Sequence, residues 1–156
     1  MTAGRTRLAN DAWEALLSAH ARLMKRFAAE DVWQDLSMRE YDVLYKLSKC
    51  RDPLRMGELH RHVLLSQPAL SRMVDRLVDR GLVARCPDPA DRRGVRLRLT
   101  DAGRDTQRGV GRRHARSVAR AVTAELTADE LRQLATICGK LAGAGERRPV
   151  DERERS

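Results

Sequence analysis

The sequence predicts a mainly α-helical chain interrupted by one small β-wing, and three observations carry the prediction. Apolar residues recur at helical spacing near both ends. Two short helical segments follow one another in the middle. Directly after them comes "CPDPADRRGVRLRLTDAG", residues 86 to 103, with two prolines, an Asp-Arg-Arg-Gly tip and a strand alternating arginine with aliphatics. At 156 residues the chain suits one domain with appended helices. Apolar residues make up 42% and charged residues 34%, enough apolar material for a core and too much for full disorder. Aromatics are only 3%, so that core must be aliphatic and alanine-rich.

Each element has its own local reason. From Leu8 to about Ala29, the residues Trp13, Leu16, Leu17, Leu23, Met24 and Phe27 form an apolar stripe on one long helix. Ser37-Met38-Arg39-Glu40 is a capping box, and Tyr41, Val43, Leu44 and Leu47 supply the buried side of the helix it opens. That helix should stop near Cys50, because "RDP" is turn chemistry. A short helix follows, with Met56, Leu59 and Val63 on one side. After a connection of about three residues, Ser66 caps the next helix, Pro68 sits in its first turn and Gly81 follows its end. Leu70, Met73, Val74, Leu77 and Val78 form its apolar face.

Leu82 to Cys86 is strand-like, and Val95 to Leu99 alternates strictly. Val95, Leu97 and Leu99 should point one way, with Gly94, Arg96 and Arg98 pointing the other. An arginine-rich helix then runs to about Glu125, with Val110, Val118 and Val122 on one side. Thr127-Ala128-Asp129-Glu130 is a second capping box, opening a helix that carries Leu131, Leu134, Ala135, Cys138 and Leu141 on one face. The expected organisation is a single domain over 1–156. A winged helix-turn-helix over 37–103 lies between dimerisation helices at 8–35 and 104–142, and 143–156 forms a disordered tail.

The chain carries 31 Lys and Arg against 22 Asp and Glu, a formal charge of +9, which favours a polyanionic partner through counterion release. An arginine-biased genome would give the same total, so the placement of the charges must decide. Cys50, Cys86 and Cys138 are odd in number and far apart, which argues against a disulfide framework and for a reducing compartment. The N-terminus lacks an apolar signal segment, and no run is long enough to span a membrane, so a cytoplasmic protein is expected.

The helix that Ser66 opens carries Gln67, Pro68 and Ala69 at its leading end, and Ser71, Arg72, Asp75, Arg76 and Asp79 off its apolar face. In a helix-turn-helix the leading part of the second helix enters the major groove, which makes Ser66, Gln67, Pro68, Ala69, Ser71, Arg72 and Arg76 the candidate DNA-contacting residues. There a glutamine matches adenine and an arginine matches guanine. The plain alternative is a solvated face braced by Arg72, Asp75, Arg76 and Asp79 at helical spacing. In the hairpin, Arg92, Arg93, Arg96 and Arg98 should line the exposed side, suited to a narrow minor groove. Phosphate would repel Asp91, whose expected job is to hold Arg93.

The run from Leu64 to Gly103 resembles the recognition helix and wing of MarR-family regulators. The matching pieces are Ser66, Leu70-Ser71-Arg72, Leu77, Arg80-Gly81-Leu82-Val83, Asp91-Arg92-Arg93 and Leu99-Thr100-Asp101-Ala102-Gly103. "LSMREYDVLYKLS" and the terminal helices extend the likeness over about residues 8 to 142. The resemblance implies a homodimeric winged helix-turn-helix that binds pseudo-palindromic double-stranded DNA. It places Gln67, Pro68, Ser71 and Arg72 against bases and Arg92 and Arg93 in the minor-groove wing. It further implies a repressor released by a small aromatic or anionic effector, for which Trp13, His20, Trp33 and Tyr41 are the candidate residues.

Redox or metal control is the alternative within the same fold. Peroxide-sensing members use a cysteine near the first helix, and residues 1–49 here contain none. His60 and His62 lie about 200° apart on a helix, poor geometry for one ion, and His20 and His114 are isolated, so no metal site or other cofactor is expected. Enzyme signatures such as G-x-S-x-G, a P-loop, a dinucleotide fingerprint or H-E-x-x-H are missing from the sequence, and no catalytic residue is expected. A winged-helix module for protein or RNA is the remaining rival.

Overall fold

The computed structural model describes residues 3–143; the rest of the expected tail, 144–156, lies outside the described residues. In chain order the elements are α1 (Ala3–Ala28), α2 (Met38–Lys49), β1 (Leu54–Arg55), α3 (Met56–His60), α4 (Gln67–Asp79), β2 (Val83–Asp88), β3 (Asp91–Leu99), α5 (Asp101–Thr123) and α6 (Ala128–Leu141). The three strands form an antiparallel sheet in the order β1-β3-β2, with Leu54 opposite Leu97 and Val83 opposite Leu99. The chain divides between Ser117 and Val118 into two compact units.

The first unit holds the helix-turn-helix and its wing. Ser37 caps α2 as its residues require: Oγ accepts from the Glu40 N–H at 3.2 Å and the Ser37 N–H donates to Glu40 Oε2 at 2.8 Å. The core beneath is aliphatic, built from Val43, Leu44, Leu47, Leu59, Leu70, Met73, Val74, Leu77, Val83, Leu97, Leu99 and Val110. Full burial of each such leucine or valine contributes about 1.5–3 kcal/mol, so this cluster holds α2, α3, α4 and the sheet together.

Three local expectations need correction. Helix α3 ends at His60, so Val63 lies in the following turn. The connection to α4 runs from Arg61 to Ser66, about twice the expected length. It is closed by His60 Nε2–H donating to the Leu65 carbonyl at 2.8 Å and by the His62 N–H on Leu59 O at 3.0 Å. The two-residue strand β1 has no periodic signal and was not expected; it exists because β3 offers it a partner edge.

On α5, Gly103, Val110, Ser117 and Ala121 are buried, while Val118 and Val122 are half-buried. Spacings of seven and four residues keep these four on one helical face. Gly103 brings the start of α5 so close to Leu82 that a Cβ there would lie 2.0 Å from the Leu82 carbonyl oxygen.

In the second unit Thr127 caps α6, accepting from the Glu130 N–H at 3.3 Å while its own N–H donates to Glu130 Oε2 at 2.8 Å. No residue of α6 is buried, and Leu134, Ile137 and Leu141 are exposed. Cys138 is half-buried rather than packed in a core. On α1, Leu8, Trp13 and Leu17 are likewise exposed.

Candidate nucleic-acid interface

Helix α4 is fixed by its buried side, which decides what its other side presents. Ser66 Oγ accepts from the Ala69 N–H at 3.4 Å, and Pro68 occupies the first turn. With Leu70, Met73, Val74 and Leu77 inward, Gln67, Pro68 and Arg72 are exposed, and Ala69 and Ser71 are half-buried. Arg72 makes no ion pair among the described residues. The bracing expected of Asp75 goes elsewhere: its carboxylate pairs with Arg85 on β2, tying the recognition helix to the wing. Arg76 turns back along its own helix. Its Nη1 donates to Arg72 O at 3.4 Å, and its Nε lies 3.8 Å from Glu40, which Arg80 approaches at 3.7 Å. Arg76 therefore loosely braces α4 on α2, while Arg72 stays uncommitted.

The wing departs further from strand alternation. Arg92 and Arg93 at the tip are exposed and without ion pairs among the described residues. Asp91 does hold Arg93, but through the main chain: its Oδ1 accepts from the Arg93 N–H at 3.0 Å, an Asx-type turn. Arg98 is exposed. Arg96, expected beside it on the open side, is not. Its side chain is 23% exposed, with Nε 3.0 Å from Asp88 Oδ1 and Nη1 donating to Pro53 O at 3.2 Å. Val95, expected on the core side, is 48% exposed, because the hairpin has by then run past the helices that cover Leu97 and Leu99.

Asp88 is the residue that sequence reasoning missed. Its side chain is fully buried at the base of the tip, next to a register shift between Pro87 and Asp88. The Ala90 N–H donates to its Oδ1 at 3.0 Å, Arg55 Nε donates to its Oδ2, and Arg96 completes the shell. The Ala90 amide first, then the two guanidiniums, hold its pKa down at about 2 although burial pushes it upward. In sequence Asp88-Pro89 reads only as a turn, and no local signal could connect it to Arg55.

The four candidate effector residues are not brought together. Trp13 is 56% exposed on α1. Trp33 and Tyr41 are buried in an aromatic cluster with Phe27 and His114; the Trp33 ring lies 5.5 Å from Tyr41 and 4.8 Å from His114. The Trp33 indole N–H donates to Phe27 O at 2.7 Å, which fixes its ring in this cluster. Burial foremost raises the Tyr41 pKa and lowers that of His114. Of the four candidates, only His20 lines a cleft of about 540 Å³, with Met24, Met38, Arg39, Asp42, Lys46 and the turn from His62 to Leu65. Trp33 borders a separate cleft of about 230 Å³ with Arg80, Leu82 and Thr106. Among the described residues no three His, Cys, Asp or Glu side chains converge to hold a metal ion, and no helix is long and apolar enough to cross a membrane.

Comparison with known proteins agrees with this architecture. The MarR family model matches residues 36–95. The multiple antibiotic resistance protein MarR of Salmonella typhimurium is 31% identical over 107 residues, covering 69% of this chain and 74% of that protein. Among solved structures, an Escherichia coli MarR mutant complexed with operator DNA matches with a TM-score of 0.69 at 29% identity, over 82% of this chain and 91% of that one. Sco3205 of Streptomyces coelicolor, in complex with DNA, matches with a TM-score of 0.72 at 27% identity, over 95% and 91%. PcaV of the same organism, with its natural ligand, matches with a TM-score of 0.62 at 30% identity, over 86% and 92%. By fold, by recognition helix and wing, and by these relatives, the chain belongs to the MarR family of winged-helix transcriptional regulators.

Proposed function

We propose that the protein is a sequence-specific duplex-DNA-binding repressor, acting in the cytoplasm as a homodimer and released by a small anionic ligand. The observation that carries the DNA reading is the distribution of unspent charge. Arg72 on α4 and Arg92 and Arg93 on the wing are exposed without carboxylate partners among the described residues, whereas Arg55, Arg76, Arg85 and Arg96 are engaged within the protein. Ser66, Gln67, Pro68, Ala69, Ser71 and Arg72 face the major groove, and the tip of Asp91, Arg92 and Arg93 faces the minor groove. The DNA-bound Escherichia coli and Streptomyces relatives support this assignment.

The exposed apolar residues of α1 and α6 support a dimer, since Leu8, Trp13, Leu17, Leu134, Ile137 and Leu141 gain by covering one another across two chains. Dimerisation presents two recognition helices to successive major grooves, about one helical turn apart, on a pseudo-palindromic site. The effector site is the His20 cleft, where Arg39, Lys46 and His20 suit a carboxylate while Met24, Met38 and Val63 suit an apolar body. Its wall includes the turn that leads into α4, so an occupant biases where the recognition helix starts. The ligand-bound PcaV relative supports ligand control. Each 1.4 kcal/mol of ligand preference for the released state shifts the equilibrium about tenfold.

The test is binding, titrated with salt, to a palindromic duplex selected by the protein from random-sequence DNA, to random duplex and to single strands. A preference for the selected duplex of orders of magnitude is expected; equal affinity for all three sinks the repressor reading. For assembly, Ile137→Asp should convert a dimer to monomer in size-exclusion chromatography with light scattering.

A further inference from the structure

An acidic residue sits buried at the base of a hairpin that otherwise gathers positive charge, and it touches three parts of the domain. Asp88 closes β2, forms an ion pair with Arg96 on β3 and accepts a hydrogen bond from Arg55, the residue immediately before α3. We propose that Asp88 is the positioning residue of the wing: it locks the hairpin to the helix-turn-helix so that Arg92 and Arg93 are held at the correct distance from α4.

Two other ties hold the hairpin, the Asp75–Arg85 pair between α4 and β2 and the pairing of β1 with β3, and neither reaches the tip. Strand β1 pairs with β3 only through Leu54–Leu97 and Arg55–Arg96, a short ladder for anchoring a protruding hairpin. Asp88 reinforces that ladder from the side by pairing its charge with both arginines of the second rung. The strands are pinched around it: a Cβ at position 94 would come 2.9 Å from the Asp88 Cβ, which only Gly94 avoids. The Ala90 N–H on Asp88 Oδ1 then sets the first bond of the tip. Beyond Asp88 the tip is held by little more than the Asp91 turn. Removing the carboxylate leaves two guanidiniums facing each other across the base, so the hairpin must splay or shift.

This inference rests on the DNA reading, and its test has a sign that electrostatics alone does not share. Replacing Asp88 by Asn removes a negative charge and frees two arginines next to DNA, so a purely electrostatic surface would bind phosphate more tightly. A positioning residue requires the reverse. Asp88→Asn should weaken binding to the palindromic duplex selected by the wild-type protein by tenfold or more, while its far-UV circular dichroism stays that of the wild type. The salt slope should fall by about one phosphate contact, as the wing cations lose register. Arg93→Ala, costly in the wild type, should cost little in the Asp88→Asn background, because the tip is already misplaced.

Unchanged or tighter binding by Asp88→Asn overturns the proposal, as does full additivity with Arg93→Ala. If Asp88→Asn does not fold, the half-exposed Arg55→Gln carries the same cycle, with coupling to Arg93→Ala supporting the lock and additivity refuting it. Failure of the wild type to prefer its selected duplex would instead count against the proposed function.

Discussion

Replacing Gly103 by alanine separates helix propensity from close packing within a single helix. In an open helix position, Gly→Ala stabilises by up to about 1 kcal/mol. At Gly103 the new Cβ would lie 2.0 Å from Leu82 O and 2.9 Å from Leu82 C, both backbone atoms. That carbonyl cannot swing aside freely, because it accepts the Thr100 N–H at 3.1 Å. Thr100 Oγ1 in turn donates to Gly81 O at 2.7 Å and accepts from the Gly103 N–H at 2.9 Å. To reach ordinary contact at 3.4 Å, α5 must retreat by about 1.4 Å, breaking this set of bonds. Overpacking of this kind costs about 1–3 kcal/mol. Gly109, in the same helix, has open space where its Cβ would be, so Gly109→Ala is the matched control. Thermal unfolding at fixed protein concentration should place Gly103→Ala below the wild type by roughly 2–4 °C per kcal/mol lost, and Gly109→Ala at or above it. A Gly103→Ala variant that melts at or above the wild type refutes the close-packing account.

Three other outcomes follow from the interface and the core. Arg72→Ala should cost about 1–3 kcal/mol and relax base choice at one position in each half-site, read by binding to a panel of single-base variants of the selected duplex. Arg93→Ala should weaken binding evenly across that panel and lower the salt slope by about 1, and unaltered affinity at physiological salt would remove the tip from the interface. His114, whose pKa burial lowers from 6.5, takes up a proton less readily in the folded state than in the unfolded chain. Its contribution is thus present above the unfolded value and lost as pH falls below it. Urea unfolding at about pH 7 and about pH 5 should show less acid destabilisation in His114→Gln than in the wild type.

The elements were legible where the signal is local. Ser37 with Glu40, Ser66 with Pro68, and Thr127 with Glu130 each announce a helix start within four residues, and each is realised. The buried face of α4 was legible for the same reason, since a 3.6-residue period needs no knowledge of what covers it. Arg96 and Arg98 show where local reasoning stops. Strand parity puts them on one side, yet Arg98 is open while Arg96 is drawn in by Asp88 and the Pro53 carbonyl. Trp33 and Tyr41 show the same limit: nothing local in the sequence indicates that His114, on α5, packs against both rings.

The sequence by itself determined the helices and their caps, the position of the recognition helix, the basic hairpin after it and the family to which they belong. All of these depend on residues close together along the chain. Only the tertiary structure decided which arginines are paired within the protein and which stay exposed without an ion pair among the described residues. An arginine's availability depends on the carboxylate that folding brings beside it: Asp88 reaches Arg55 from 33 residues away, and Asp75 reaches Arg85 across two elements.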